Sequence, residues 1–269
     1  MKSSHKHISQ IEVSNENNNG NWVSKKLLLI NGIIAIVLVL LSVIITVSSV
    51  IGVIIILLAI LFSISFAYFS YAHYKLSPKG GNIQNKVYDL LLNYVIFQGH
   101  GKIIDIGCGN ASLTIKLAKK YPDAFLTGID FWKGMWDYSK ETCENNAQIE
   151  GVKNRINFIQ ASASSIPFDD KTFDLAVSNF VFHEVKDVKN KKDVIKESLR
   201  VVKKGGIFIF QDLFLSKYFY GKLNILLDEI KSWGINDVRF INTSKADFIP
   251  RGLKLSFMLG NIGIIYGTK

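Results

Sequence analysis

At 269 residues, with 48% hydrophobic composition, the chain is too apolar for a disordered protein and long enough for one domain plus appendages. Its formal charge of +10 comes from lysines scattered along the chain, not gathered into one block, which argues against nucleic acid as a partner. Its two cysteines, Cys108 and Cys143, exclude a disulfide framework, and no residues show metal-ligand spacing, so a reducing compartment and no metal are expected.

Residues 1–24 are rich in Asn, Ser and Lys, include "NENNNG" at 15–20, and read as a disordered polar tail in which His5 and His7 carry no metal-site pattern. Residues 27–74 then contain no Asp, Glu, Lys or Arg. A bilayer core about 30 Å thick takes roughly 20 helical residues, so this run suffices for two spans. Ser48, Ser49 and Gly52 mark a joint, giving candidate spans of Leu27–Val47 and Val50–Tyr71 in a transmembrane hairpin at 25–74. A single long, tilted span is the alternative. A cleaved signal peptide has an apolar region of only about 7 to 15 residues, and the polar start here does not suit one. Lys25 and Lys26 precede the run, and Lys75 and Lys79 follow it. The positive-inside rule therefore predicts an integral membrane protein with both termini and the remaining domain cytoplasmic. Trp22, Tyr68, Tyr71 and Tyr74 stand where an interfacial aromatic belt belongs, and the lipid bilayer is the expected partner of the flanking lysines.

"KLSPKGGNIQ" at 75–84 reads as a linker, with Pro78, Gly80 and Gly81. From 85 to 269 strands alternate with helices. Helices are predicted at 87–97, 111–121, 136–151, 191–202 and 220–234, and strands at 102–107, 124–130, 155–161, 172–180, 205–212, 237–243 and 261–268. This alternation predicts an α/β fold, a Rossmann-like doubly wound, seven-stranded, mostly parallel sheet. The two final strands lack a long helix between them and suggest an antiparallel edge.

"IIDIGCGNAS" at 103–112 sits where the first strand hands over to its helix, the place where open α/β sheets bind ligands. Gly107 and Gly109 let the backbone turn sharply and approach a ligand closely. A dinucleotide fingerprint would need glycine at 112, where Ser112 stands, which disfavours a nicotinamide enzyme. Asp105, just ahead of the glycines, suits an amino-bearing ligand, and Asp130, closing the second strand, suits the two hydroxyls of a ribose. Together they describe a nucleoside with an amino acid end.

Over 85–269 the chain resembles the class I S-adenosylmethionine-dependent methyltransferases. The family pattern D/E-x-G-x-G-x-G reads here Asp105, Gly107, Gly109, Ala111, with alanine in the third glycine place. "SASSIPFDDKTFDLAVSN" and "LRVVKKGGIFIFQD" resemble two further family stretches. The resemblance implies S-adenosyl-L-methionine as cofactor, held by Asp105, Gly107, Gly109, Asp130, Phe131, Trp132, Ser162, Ala163 and Asn179. Ser162 replaces the acid that often binds the adenine amino group, leaving that contact to the Ala163 backbone. Trp136 is expected to pack in the core.

"NFVFHEV" at 179–185 follows the fourth strand, where the methyl group would be delivered. His183 is a candidate catalytic base and Asn179 a candidate partner of the sulfonium or the acceptor. The N-P-P-Y turn of DNA and protein-amine methyltransferases is missing from "SNFV". The expected function is a membrane-anchored methyltransferase acting on a small-molecule acceptor, lipid-like or quinone-like. The alternative is a membrane sensor that binds the cofactor and transfers nothing.

Overall fold

The structure is a computed structural model describing residues 20–45, 49–133, 138–235 and 237–269. Most of the expected tail, including His5 and His7, and Trp136 lie outside the described residues.

Helix α1 (Lys25–Ile44) starts at Ser24, whose hydroxyl accepts the Leu27 N–H at 3.1 Å. Helix α2 (Val50–Leu76) starts in the same way at Ser49, which accepts the Gly52 N–H at 3.0 Å. Serine side chains of this kind satisfy amides that the first helical turn leaves open. Ser49, predicted to weaken a helix, thus caps the start of the second one. With mean hydropathies of 3.1 and 3.0, both helices are long and apolar enough to cross a membrane. They pack antiparallel: Ser65 Oγ donates to Asn31 Oδ1 at 3.0 Å, and Gly32 makes room for the Phe66 ring.

The last turns of α2 have a different environment. Ala72 and Leu76 are buried with Val23, Ile83, Val87, Ile249, Leu253, Leu259 and Ile262 in one apolar cluster. The stretch 75–84 is therefore no loose connection. It holds the end of α2, a tight turn, and the start of helix α3 (Ile83–Asn93). Gly80 is required in that turn, because a Cβ there would strike the Tyr74 carbonyl. Residues 20–24, expected within the mobile tail, are also packed, with Val23 only 2% exposed.

The remainder follows the predicted alternation: β1 (His100–Ile106), α4 (Ser112–Lys120), β2 (Asp123–Asp130), α5 (Lys140–Ile149), β3 (Ile156–Gln160), β4 (Phe173–Asn179), α6 (Lys191–Arg200), β5 (Val202–Asp212), α7 (Lys217–Tyr220), α8 (Leu223–Ser232), β6 (Asp237–Ile241) and β7 (Gly263–Thr268). The seven strands lie in the order β3-β2-β1-β4-β5-β7-β6. Strands β1 to β5 are parallel, and β7 runs antiparallel to both β5 and β6. The antiparallel strand lies one place in from the edge. Buried Ile264 and Ile265 suit β7 to the interior, whereas no residue of β6 is fully buried.

Alternation along β1 builds a core on each face of the sheet. Ile103 joins Leu91, Leu117 and Cys143 beneath α3, α4 and α5. Ile104 and Ile106 join Val194, Tyr220, Leu226 and Ile230 beneath α6, α7 and α8. Strands β1, β2, β4 and β5 bring their carboxyl ends to one edge, and the candidate residues gather there.

Candidate functional site

Beyond β1 the backbone turns through left-handed conformations at Gly107 (φ 76°), Gly109 (φ 59°) and Ala111 (φ 69°). A Cβ on Gly107 would overlap the Val181 side chain, so this glycine lets the loop after β4 close down on the bend. The Gly107 and Cys108 amides donate to the Ile129 carbonyl at 2.7 and 2.9 Å, fastening the bend to the end of β2. Ala111, in the third glycine place, is fully buried and accepts a conformation that costs an L-residue about 1–2 kcal/mol.

Asp130 stands over this bend. Its Oδ2 accepts the Gly109 amide at 2.9 Å and its Oδ1 accepts the Trp132 amide at 2.8 Å. Burial raises the Asp130 pKa, and these backbone donors oppose the rise. A carboxylate offers roughly four acceptor sites, so these backbone donors leave acceptor capacity for a hydroxyl. Trp132 has φ 45°, uncommon for a bulky residue, and its indole N–H donates to the Gly109 carbonyl at 2.8 Å. The indole thus braces the bend from the β2 side. Phe131 is 51% exposed, with the Lys133 ammonium 4.8 Å from its ring centroid.

Asp105 is 1% exposed and accepts the Thr114 hydroxyl at 2.6 Å. Burial pushes its pKa up to about 7, against the pull of Thr114. Asn179, at the end of β4, is 8% exposed, and both its amide nitrogen and its amide oxygen are buried without a hydrogen-bond partner. Leaving such groups unmade costs about 1–3 kcal/mol each. A ligand that fills them removes that cost.

After Asn179 the chain passes through Phe180 (φ 59°) into a single helical turn, Phe182–Glu184. His183 is held there by Asp212, the last residue of β5, with Nδ1 2.6 Å from Oδ1. The other oxygen of Asp212 accepts the Phe182 amide at 2.8 Å. Asp212 makes Nδ1 the protonated nitrogen and leaves Nε2 for other partners. Burial alone would lower the His183 pKa, but the charge and hydrogen bond of Asp212, helped by Glu184, prevail and raise it. The imidazole lies between aromatic rings, 5.9 Å from Phe180 and 5.5 Å from Phe219. Beyond Phe180 comes Trp22, with centroids 4.8 Å apart, from the segment that leads into α1.

Ser162 and Ser164 both donate to Asp187 Oδ2, at 2.7 and 2.6 Å. The Ser162 hydroxyl is thereby engaged with a neighbouring carboxylate. Ala163 is buried against Ile166 and Ala176 on the α6 face.

Several supporting residues escape a linear reading. Cys143 and Asn146 of α5 bind the Gly109 and Asn110 carbonyls at 3.1 and 2.9 Å. Tyr138 donates to the Asn21 carbonyl at 3.1 Å, and the Trp22 amide donates to Gln84 at 3.1 Å. Only Asp212 had a visible signal, as the closing acid of "IFIFQD".

The strand order, the glycine bend and the acid closing β2 resemble those of class I S-adenosylmethionine-dependent methyltransferases. In agreement, residues 104–210 match the family model described as "Methyltransferase domain". Among curated relatives, the chain is similar to the demethylmenaquinone methyltransferase of Bacillus pumilus (strain SAFR-032), 32% identical over 122 residues, covering 45% of this chain and 49% of the relative. It is likewise similar to the demethylmenaquinone methyltransferase of Staphylococcus aureus (strain JH9), 31% identical over 142 residues, covering 46% of this chain and 55% of the relative. The chain thus spans about half the length of these relatives. Among solved structures, geranyl diphosphate C-methyltransferase from Streptomyces coelicolor A3(2) superposes with a TM-score of 0.54 at 11% identity, over 71% of this chain and 80% of that one. The cyclase SpnF superposes with a TM-score of 0.51 at 18% identity, over 70% and 81%. At these identities the two structures speak for the fold alone.

Proposed function

We propose that this protein is a methyltransferase, anchored in a bilayer by α1 and α2, that transfers a methyl group from S-adenosylmethionine to an amphipathic aromatic acceptor carrying an ionisable hydroxyl, of the quinol type. The observation that carries the reading is the His183–Asp212 pair set between Phe180 and Phe219 beside the glycine bend. Aromatic walls suit a planar ring, and an imidazole with Nε2 free of Asp212 suits the proton of a ring hydroxyl. The names of the two relatives, both demethylmenaquinone methyltransferases, agree with a quinone-like acceptor.

The residues fit the cofactor. The Asp130 carboxylate retains acceptor capacity for the ribose, Gly107 and Gly109 open the bend to the amino acid end, and Asp105 lies beneath it to meet an ammonium. The Asn179 amide offers a buried donor and acceptor without present use. Once bound, S-adenosylmethionine supplies an electrophilic methyl group on a sulfonium. His183 takes the acceptor's proton through Nε2, and Asp212 orients the ring and stabilises the resulting imidazolium. Phe180, Phe219 and Trp22 align the acceptor and exclude water, which is the main requirement of an in-line displacement.

Anchoring is supported by the exposed flanks of α1 and α2, where Val43 is 81% and Val50 78% exposed, a surface with no cover in water. The reading places both termini and the pocket on the cytoplasmic side, as the flanking lysines require. The deciding experiment incubates the full-length protein, reconstituted in native membrane lipid, with methyl-deuterated S-adenosylmethionine, and examines the lipid extract by mass spectrometry. A labelled aromatic lipid, lost with His183→Ala, is the expected result. Cofactor binding without transfer to any extract component would replace the enzyme by a sensor.

A further inference from the structure

The loop between β6 and β7 contains an exposed apolar tip that the site does not use. Leu255 is 42% and Phe257 58% exposed, while Leu253 and Leu259 on either side are buried and hold the loop to the domain. The loop is compact: the Met258 and Gly260 amides both donate to the Leu255 carbonyl, at 3.0 and 2.9 Å, and Leu259 donates to Leu253 at 3.0 Å. Its two apolar side chains therefore project from a fixed base.

That base rests on α2. The Tyr68 hydroxyl donates to the Gly252 carbonyl at 3.1 Å, and the Phe257 ring lies 5.8 Å from Tyr68 and 6.5 Å from Phe69. The depth of this contact follows from the hairpin register. Val23 faces His73 and Asn31 faces Ser65, and the same offset sets Lys25 and Lys26 level with Tyr71 and Ser70. Phe257 thus meets α2 about 3 Å to the hydrocarbon side of the lysines, given a rise of 1.5 Å per residue. Counted from Val50, Tyr68 lies about 27 Å along α2, close to the thickness of a hydrocarbon core. Arg251 and Lys254, both exposed, flank the apolar tip as anionic headgroups would require.

Resting on the anchoring proposed above, we infer that the 251–260 loop is a second membrane contact, which inserts Leu255 and Phe257 among the acyl chains beside α2 and seats Arg251 and Lys254 at the headgroups. The lipid surface is the occupant that this geometry selects, because the apolar tip continues the lipid-facing side of the helix. The loop leads into the chain beside the pocket, with the Leu215 amide donating to the Asn261 carbonyl at 3.0 Å. Two contacts, α2 and this loop, would hold the carboxyl edge of the sheet against the membrane, where a bilayer-borne acceptor resides.

The test uses the full chain in vesicles of phosphatidylcholine and phosphatidylglycerol, with an environment-sensitive fluorophore on Ser256→Cys and, as control, on Asp169→Cys at the opposite edge of the sheet. Native Cys108 and Cys143 are buried and serve as the labelling blank. Lipid nitroxides at a shallow acyl position should quench the label at 256 and leave that at 169 unaffected, while aqueous iodide should do the reverse. Leu255→Glu with Phe257→Glu should reduce the lipid quenching roughly tenfold. A label at 256 open to iodide and indifferent to lipid, in a chain that resists alkaline carbonate extraction, overturns the inference and leaves the anchor standing. Self-quenching between copies at 256 in place of lipid quenching overturns it in favour of a dimer contact. Extraction of the unmodified chain by carbonate overturns the anchoring itself.

Discussion

His183 and Asp212 join two strands at their carboxyl ends: the imidazole follows β4, the carboxylate closes β5, and 2.6 Å separates Nδ1 from Oδ1. Because the carboxylate raises the imidazole pKa, activity and stability should respond to pH in opposite directions. Under the proposed function neutral His183 is the working base, so kcat should rise with pH through a value above 6.5. The stabilisation from the charged pair is complete below 6.5 and is lost as pH rises through the folded pKa. His183→Ala should lower kcat by roughly 10²- to 10⁴-fold. Asp212→Asn should move the acid limb of the kcat profile to lower pH. An unmoved limb would separate Asp212 from the base.

Asp105 should make cofactor binding pH-dependent. With its pKa raised by burial to about 7 from the ordinary 3.8, the folded chain retains between those values a proton that the unfolded chain has lost. Folding stability therefore declines over that window, whereas affinity for a ligand bearing an ammonium increases as the carboxylate ionises. Calorimetry at pH 6 in two buffers of different ionisation enthalpy should detect a released proton, and Asp105→Asn should abolish both the release and the pH slope.

Replacing Asp130 with Ala should weaken cofactor binding by roughly 2 to 4 kcal/mol, about 30-fold to 1,000-fold. Part of this loss comes from the Gly109 and Trp132 amides, which lose their common acceptor. Unchanged affinity in a titration would contradict the ribose assignment.

Asn179→Leu separates stability from function. The asparagine amide is buried without partners, so an apolar isostere should leave the folding free energy of the ligand-free protein unchanged or make it more favourable, by about 1–3 kcal/mol at most, with the melting temperature unchanged or raised. Cofactor affinity or kcat should fall by roughly tenfold or more. A thermal melt and a binding titration on the same preparation provide the comparison, and a less stable variant with full activity would assign Asn179 a purely structural role.

The parallel core, the glycine bend and the two acids were legible because each depends on a local pattern: apolar runs bounded by turns, Gly-x-Gly after a strand, an acid closing the next strand. Asp212 was legible as a strand end but not as the partner of His183, since no periodicity links residues on two strands and their bond depends on the register of β4 with β5. Ser162 illustrates the converse. Its place in the motif suggested the adenine, whereas a carboxylate 25 residues on engages its hydroxyl. The 1–24 tail and the 75–84 linker were judged by composition, and composition does not show that Trp22 and Val23 have a cluster to join once α2 continues into the domain.

Residues 20–24 connect Tyr138 and Phe180 of the candidate site to α1. Asn21 receives the Tyr138 hydroxyl, its side chain donates to the His73 carbonyl at 2.9 Å, and Trp22 lies against Phe180, all immediately before Ser24 starts the first helix. Under the proposed function, a wall of the acceptor site therefore precedes the first apolar segment in the chain and packs directly against its start. Under the proposed topology, newly made polypeptide would acquire a finished chamber only on installation in the bilayer, so unanchored protein in the cytosol would stay idle without any separate inhibitor.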